Sequence, residues 1–134
     1  MIYALDSNII SFMLRDNDSV YSRYFSALEQ GNSCVIPLMV YYEVKRGLKV
    51  SDATSKMRSF ENICAELGVD SLTVTDMDTA AELYAERRRR DTIDDADLLI
   101  AAQCLTRGYI LVTNNTRHFE GIDGLQIEDW VETR

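Results

Sequence analysis

The sequence predicts a three-layer α/β/α domain around a central, mostly parallel sheet of four to five strands. Three observations carry that expectation. Short apolar runs alternate with amphipathic helical segments along the whole chain, which is the pattern of linked βαβ units. Tyr109–Val112 and the Leu98–Leu105 segment are apolar almost throughout, as a sheet covered on both faces requires. The 134 residues, 46% hydrophobic and 27% charged, suffice for a single domain, 1–134, with its own core.

The elements follow in order. Ile2–Leu5 is an apolar run ending at Asp6 and reads as a buried strand. A helix from Ser7-Asn8 to Leu14 follows, and Asp16-Asn17-Asp18-Ser19 then breaks the chain and offers caps for a second helix. That helix places Val20, Tyr24, Phe25 and Leu28 on one face and stops at Gly31. Cys34–Ile36 is the second strand, and Pro37 opens a helix over Leu38–Leu48. Ser51-Asp52 is expected to cap a longer helix carrying Ala53, Met57, Phe60, Ile63, Cys64 and Leu67 before Gly68. Leu72–Val74 is expected as the third strand, and Asp76 to Arg90 as a helix with Ala80, Leu83, Tyr84 and Arg87 on a common side. Asp94-Asp95 opens the apolar Leu98–Leu105 helix, closed by Arg107-Gly108. Tyr109–Val112 is the fourth strand and Leu125–Ile127 the fifth.

Composition narrows the functional classes. No basic and apolar leader of signal-peptide type opens the chain, and no apolar run approaches the roughly 20 residues that span a bilayer. The expected location is therefore cytoplasmic, without a membrane partner. Cys34, Cys64 and Cys104 are far apart and odd in number, which argues for buried thiols rather than disulfides. With His118 the only histidine, a Cys/His zinc site is not expected. The net charge of −8 opposes direct phosphate binding unless divalent cations or a local basic patch offset it.

Chemistry is sought just past the carboxyl ends of the strands, where ligands bind in open α/β sheets. Asp6 directly follows the first strand, and a carboxylate there needs a partner or a capping role. Glu43 stands among Leu38, Met39, Val40, Tyr41, Tyr42 and Val44, with Arg46 at i+3 as a plain salt-bridge partner. Asp97 is the third acid near the start of a helix too apolar to be exposed; capping accounts for one or two of Asp94, Asp95 and Asp97. Asn114 and Asn115 follow the fourth strand. Carboxylates drawn together repel, a divalent cation relieves this, and all-oxygen donors suit Mg²⁺ or Mn²⁺.

Four short pieces, in order, carry a family resemblance. They are Ile2-Tyr3-Ala4-Leu5-Asp6-Ser7-Asn8, Tyr42-Glu43-Val44-Lys45-Arg46-Gly47, Asp97-Leu98-Leu99-Ile100-Ala101-Ala102, and Leu111-Val112-Thr113-Asn114-Asn115 with Phe119 and the closing Gly124–Trp130 stretch. Over nearly its whole length the chain resembles PIN-domain ribonuclease toxins of the VapC type. The resemblance implies a Mg²⁺- or Mn²⁺-dependent endoribonuclease that cuts tRNA, rRNA or mRNA to arrest translation. It also implies a cognate antitoxin as partner and a homodimer. By it, Asp6, Glu43 and Asp97 are the catalytic, metal-binding carboxylates, and in-line hydrolysis leaves a 3′-hydroxyl and a 5′-phosphate. Many relatives carry a fourth acid past the last motif strand. Here Asn115 and His118 stand at the two places, so Asn115 and Thr113 are the fourth-position residues and the second metal is left open. Asp94 replaces the family's glycine before the Asp97 segment.

Arg46, Arg87 and Arg90 are the expected RNA contacts, the last two from the run Arg87-Arg88-Arg89-Arg90 that leads toward Asp97, with Lys45 and Lys49 beside Glu43. The plain account of that run is a solvated helix end. Tyr21, Tyr24, Tyr41 and Tyr42 lie at helical spacing and read as core or interface. The competing function is a non-catalytic PIN-like interaction module. A receiver or phosphatase domain is disfavoured, because Asn8 stands where the phosphatase type would carry an acid and Tyr109–Asn115 holds no lysine.

Overall fold

The computed structural model describes residues 1–87 and 93–132. Its strands are β1 (Ile2–Leu5), β2 (Ser33–Pro37), β3 (Val69–Asp70), β4 (Ile110–Val112) and β5 (Gln126–Glu128). Its helices are α1 (Ser7–Leu14), α2 (Asp18–Glu29), α3 (Leu38–Val50), α4 (Thr54–Leu67), α5 (Val74–Arg87) and α6 (Asp95–Arg107), with a 3₁₀ turn at Thr116–His118.

The strands form one sheet in the order β3-β2-β1-β4-β5, and every adjacent pair is parallel. The chain therefore builds outward from β1 on one side, then returns to build β4 and β5 on the other. That reversal opens a crevice at the carboxyl ends of β1 and β4, the position where open α/β sheets bind ligands. Register delivers two polar residues to it: Leu5 pairs with Val112, so Asp6 and Thr113 emerge side by side. Asp6 N–H still donates to Val112 O at 2.9 Å, and Thr113 N–H to Glu128 O at 2.9 Å. Ala4, Leu5, Ile36, Leu111 and Val112 are wholly buried in the sheet, with Ile9, Ile10, Val40, Phe60, Ile100, Ala101 and Ala102 closing over them from the helices.

Helix ends follow local chemistry. Asn17 accepts from Val20 N–H and starts α2. Gly108, at φ +68°, closes α6 in the left-handed conformation that glycine adopts without strain.

Three expectations need correction. The third strand is Val69–Asp70, not Leu72–Val74. Thr73 and Asp76 form a reciprocal cap, Thr73 N–H to Asp76 Oδ2 at 2.8 Å and Asp76 N–H to Thr73 Oγ1 at 3.2 Å, which nucleates α5 at Val74 and takes the β-branched run into a helix start. Ser51-Asp52 does not cap α4. Ser51 ends α3, its hydroxyl donating to Gly47 O at 3.0 Å, and α4 begins after Ala53 without a side-chain cap. On α2 the buried face is Val20, Tyr24 and Ala27. Phe25 and Leu28, each one residue (about 100°) further round, are exposed at 54% and 40%. The α4 face is as expected: Phe60 is wholly buried, and Met57, Ile63, Cys64 and Leu67 are partly buried against the core. The expected continuation of α5 through Arg90 lies outside the described residues. Cys34 and Cys104 are buried and Cys64 half-buried, all three free; burial pushes the Cys34 and Cys104 thiols up to about 12. No helix among the described residues is long and apolar enough to cross a membrane.

Candidate functional site

Asp6 is 3% exposed and fully engaged. Its Oδ1 caps α1 through Ser7 N–H at 2.8 Å, and its Oδ2 accepts from the Thr113 hydroxyl at 2.7 Å and Asn8 Nδ2 at 3.2 Å. The capping account holds for one oxygen, which starts the helix, while the other is turned to Thr113 and Asn8 at the crevice. Such a carboxylate is held in one orientation by its three donors.

Thr113 is wholly buried. Beyond its bond to Asp6, its oxygen accepts from Asn115 N–H at 3.0 Å and Asn8 Nδ2 at 3.3 Å. Asn8 spends every polar atom in the same place, because its Oδ1 accepts from Asn114 N–H at 2.9 Å. Asn8 is the residue that sequence reasoning undervalued. Its signal was the Asp-x-Asn spacing directly after a buried strand, since an amide two residues into the helix can donate and accept at once. Asn114 in turn donates to Asp129 Oδ2 at 3.1 Å, tying the β4 turn to the segment after β5.

Glu43 lies in α3, half-buried, and its Oε1 is buried without a hydrogen-bond partner. Burial raises its carboxyl above the ordinary value, and the charges of Asp6, Asp97 and Asp94 add to this, with Arg46 opposing. The charges of Asp6 and Asp97 thus bear on Glu43 across the crevice. Among the described residues no ion pair joins Glu43 to Arg46; the Arg46 guanidinium lies 5.0 Å over the Tyr42 ring.

Asp97 sits in the first turn of α6, and burial raises its carboxyl too, assisted by Asp6 and Asp94 and opposed by His118. His118 Nδ1 stands 3.0 Å from Asp97 Oδ2, although the His118 side chain is 57% exposed. Among the described residues, no group of three or more His, Cys, Asp or Glu side chains is placed so that it could hold a metal ion as it stands; Asp97 faces the imidazole.

The remaining expected residues are placed as follows. Asn115 is exposed; its side chain and Arg46 line a hollow that begins at Glu43. Arg87 ends α5 beside Gly121, where an added Cβ would stand 3.6 Å from its Nη1. Arg90 lies outside the described residues.

The chain belongs to the PIN-domain family, whose sequence model matches residues 3–125. Within that family its relatives are VapC ribonucleases. It is 32% identical to the tRNA(fMet)-specific endonuclease VapC of Shigella flexneri, covering 96% of this chain and 97% of the relative. It is 26% identical to Ribonuclease VapC2 of Rickettsia felis, over 97% and 98% of the two chains. Among solved structures, a chain of the Rickettsia felis VapBC2 complex bound to a promoter DNA fragment superimposes with a TM-score of 0.89 at 26% identity, covering 98% of this chain and 100% of that one. A chain of DNA-bound VapBC from Salmonella typhimurium gives 0.88 at 25% identity, over 98% and 99%.

Proposed function

We propose that this protein is a Mg²⁺- or Mn²⁺-dependent endoribonuclease, the toxin of a toxin–antitoxin pair, acting on RNA in the cytoplasm and paired with a cognate antitoxin. One observation carries the metal-dependent part: Glu43 Oε1 is buried and unpartnered while its carboxyl is raised by burial and by Asp6 and Asp97. A divalent cation answers both the missing partner and the repulsion, and a donor set of oxygens fits Mg²⁺ or Mn²⁺. The names of the VapC relatives and the VapBC complexes support the nuclease activity and the antitoxin, and the tRNA(fMet) endonucleases favour tRNA among the substrates.

Asp6, Glu43 and Asp97 would hold the ion, which when bound supplies a water of lowered pKa and stabilises charge on the scissile phosphate. Asp6 brings a pre-oriented carboxylate, fixed by Ser7, Asn8 and Thr113. At the fourth position Thr113 spends its hydroxyl on Asp6, Asn8 and Asn115 N–H, so its part there is to orient Asp6, and the exposed Asn115 amide oxygen stands where many relatives carry an acid. His118 sets its Nδ1 against Asp97 Oδ2. Arg46 offers positive charge for the RNA backbone at the Glu43 side, and Arg87 does so from the end of α5.

A homodimer belongs to the same reading. Val74, Met77 and Tyr84, 78%, 47% and 57% exposed, share one side of α5 and leave an apolar strip for a second copy. Sedimentation of the purified chain as a monomer would remove that part.

The test is cleavage of tRNA and rRNA with Mg²⁺, with Mn²⁺ and with chelator. Asp6→Asn, Glu43→Gln and Asp97→Asn should each lose at least a hundredfold in rate, more than the roughly 10–100-fold that outer-shell changes cost. Products should end in 3′-hydroxyl and 5′-phosphate. Cleavage unchanged by all three substitutions would refute the site. Isothermal titration against the protein encoded beside it tests the antitoxin.

A further inference from the structure

We infer that the hollow between α1 and α3 is a subsite for one unpaired base of the RNA, adjoining the phosphate at the acidic cluster; the inference rests on the ribonuclease reading above. The hollow has a volume of about 380 Å³, starts at Glu43 and Asn115, and is walled by Ser7 and Ser11 on α1 and by Arg46 and Gly47 on α3. Its volume lies at the lower end of the roughly 300–1,000 Å³ of small-ligand pockets, room for a base and its sugar but not for a duplex. Leu14 and Leu48 also line it, giving apolar surface for a ring.

The polar groups suit a base better than a phosphate. Glu43 is the only acid lining the hollow, and the other polar groups are hydroxyls and amides apart from the Arg46 guanidinium. Among the described residues the Ser11 hydroxyl and the Asn115 amide make no hydrogen bond, so both can read a base edge. Base-specific RNA recognition targets single-stranded nucleotides, splayed out and stacked on aromatic or guanidinium planes. Arg46, lying 5.0 Å over the Tyr42 ring, offers such a plane at the rim.

Gly47 supplies the independent argument. It sits inside α3, where glycine weakens a helix relative to alanine. Its φ is not positive, so the backbone does not require it. A Cβ there would meet nothing within 4 Å, so packing does not require it either. What its bare backbone leaves is open space beside the hollow that it lines. A longer side chain would fold as well or better and would fill the space.

The test uses the full chain and labelled single-stranded hexaribonucleotides in chelator, so that binding is read by fluorescence anisotropy without cleavage. An abasic residue is walked through a mixed-sequence hexamer. Wild type should lose about tenfold in affinity at one position, the size of a single base contact. Gly47→Met should bind every hexamer at that weaker affinity while melting no lower than wild type. Ser11→Ala, which cannot disturb that open space, should alter preference among bases at the same position. Wild type that tolerates an abasic residue everywhere, or Gly47→Met with the wild-type pattern, overturns the subsite. So does a Gly47→Met chain that loses only binding of the neighbouring encoded protein, since the hollow then serves a protein partner. Failure of wild type to cut any RNA with Mn²⁺ overturns the ribonuclease reading itself, whereas cleavage without base discrimination overturns the subsite alone.

Discussion

Replacing Thr113 with valine keeps the shape of a wholly buried side chain and deletes one hydroxyl. That oxygen donates to Asp6 Oδ2 at 2.7 Å and accepts from Asn115 N–H at 3.0 Å. A hydrogen bond to a charged group contributes roughly 1.5–3 kcal/mol, and an orphaned N–H adds about 1 kcal/mol more. Asp6 is not stripped bare, because Ser7 N–H and Asn8 Nδ2 still reach it at 2.8 and 3.2 Å. The net loss should therefore fall at about 2–3 kcal/mol. For a chain of this size that lowers Tm by roughly 6–15 °C. Calorimetry reads the stability, and RNA cleavage should fall in parallel because Asp6 loses its fixed orientation. Thr113→Ser restores the hydroxyl and should cost only about 0.8 kcal/mol for the missing methyl. A valine variant that melts within about 2 °C of wild type, or that cleaves RNA at the wild-type rate, refutes the claim that this hydroxyl anchors Asp6.

Glu43→Gln should raise Tm at pH 7: burial and its acidic neighbours lift the Glu43 carboxyl, so its ionisation costs stability as pH rises through the raised value, and glutamine escapes that cost. The advantage should vanish in acid, below the ordinary carboxylate value, and thermal scans across pH would expose a wrong sign. Asp76→Asn should behave oppositely. Burial opposes the charge of Asp76, but hydrogen bonds from Thr106 and Thr73 and the Arg107 charge outweigh it and hold the carboxyl below its usual value. The variant should lose roughly 3 kcal/mol at neutral pH, with the gap closing as pH falls through that depressed value; equal melting at pH 7 would sink this account. Mn²⁺ at a hundred times its dissociation constant should stabilise wild type by about 2.7 kcal/mol, and Asp97→Asn by far less; equal shifts in both would place the ion elsewhere.

Elements with an unbroken apolar period were legible because burial alone dictates them: β1, β2, α1 and α6 match the sequence reading within a residue or two. Leu72–Val74 misled because β-branched residues carry the strand signal, while the decisive Thr73–Asp76 cap works through two hydrogen bonds that composition hides. Phe25 and Leu28 misled because a face wider than its buried stripe cannot be trimmed without knowing what packs on it. At the candidate site, Asp6, Glu43 and Asp97 stand out in the sequence only as a group, through the motif resemblance, since each alone has a capping or salt-bridge account. The roles of Asn8 and Asn114 could not be read there, because both depend on β1 and β4 being neighbours, a fact of strand order rather than of local pattern. His118 was undervalued for the same reason: its contact with Asp97 crosses two elements 21 residues apart.

The central place of β1 has a consequence for the chain as it is made. β1 leaves the ribosome well before β4, which must cover its second edge, with 104 residues (6 to 109) between them. At roughly 5–20 residues per second that wait lasts about 5–20 s. Through that interval β1 can pair only with β2, its other edge is open to a stray strand, and Asp6 lacks the Thr113 hydroxyl. A message that ends before the Thr113 codon thus yields an exposed-edge fragment whose Asp6 keeps only its Ser7 and Asn8 donors, not a slower version of the finished protein.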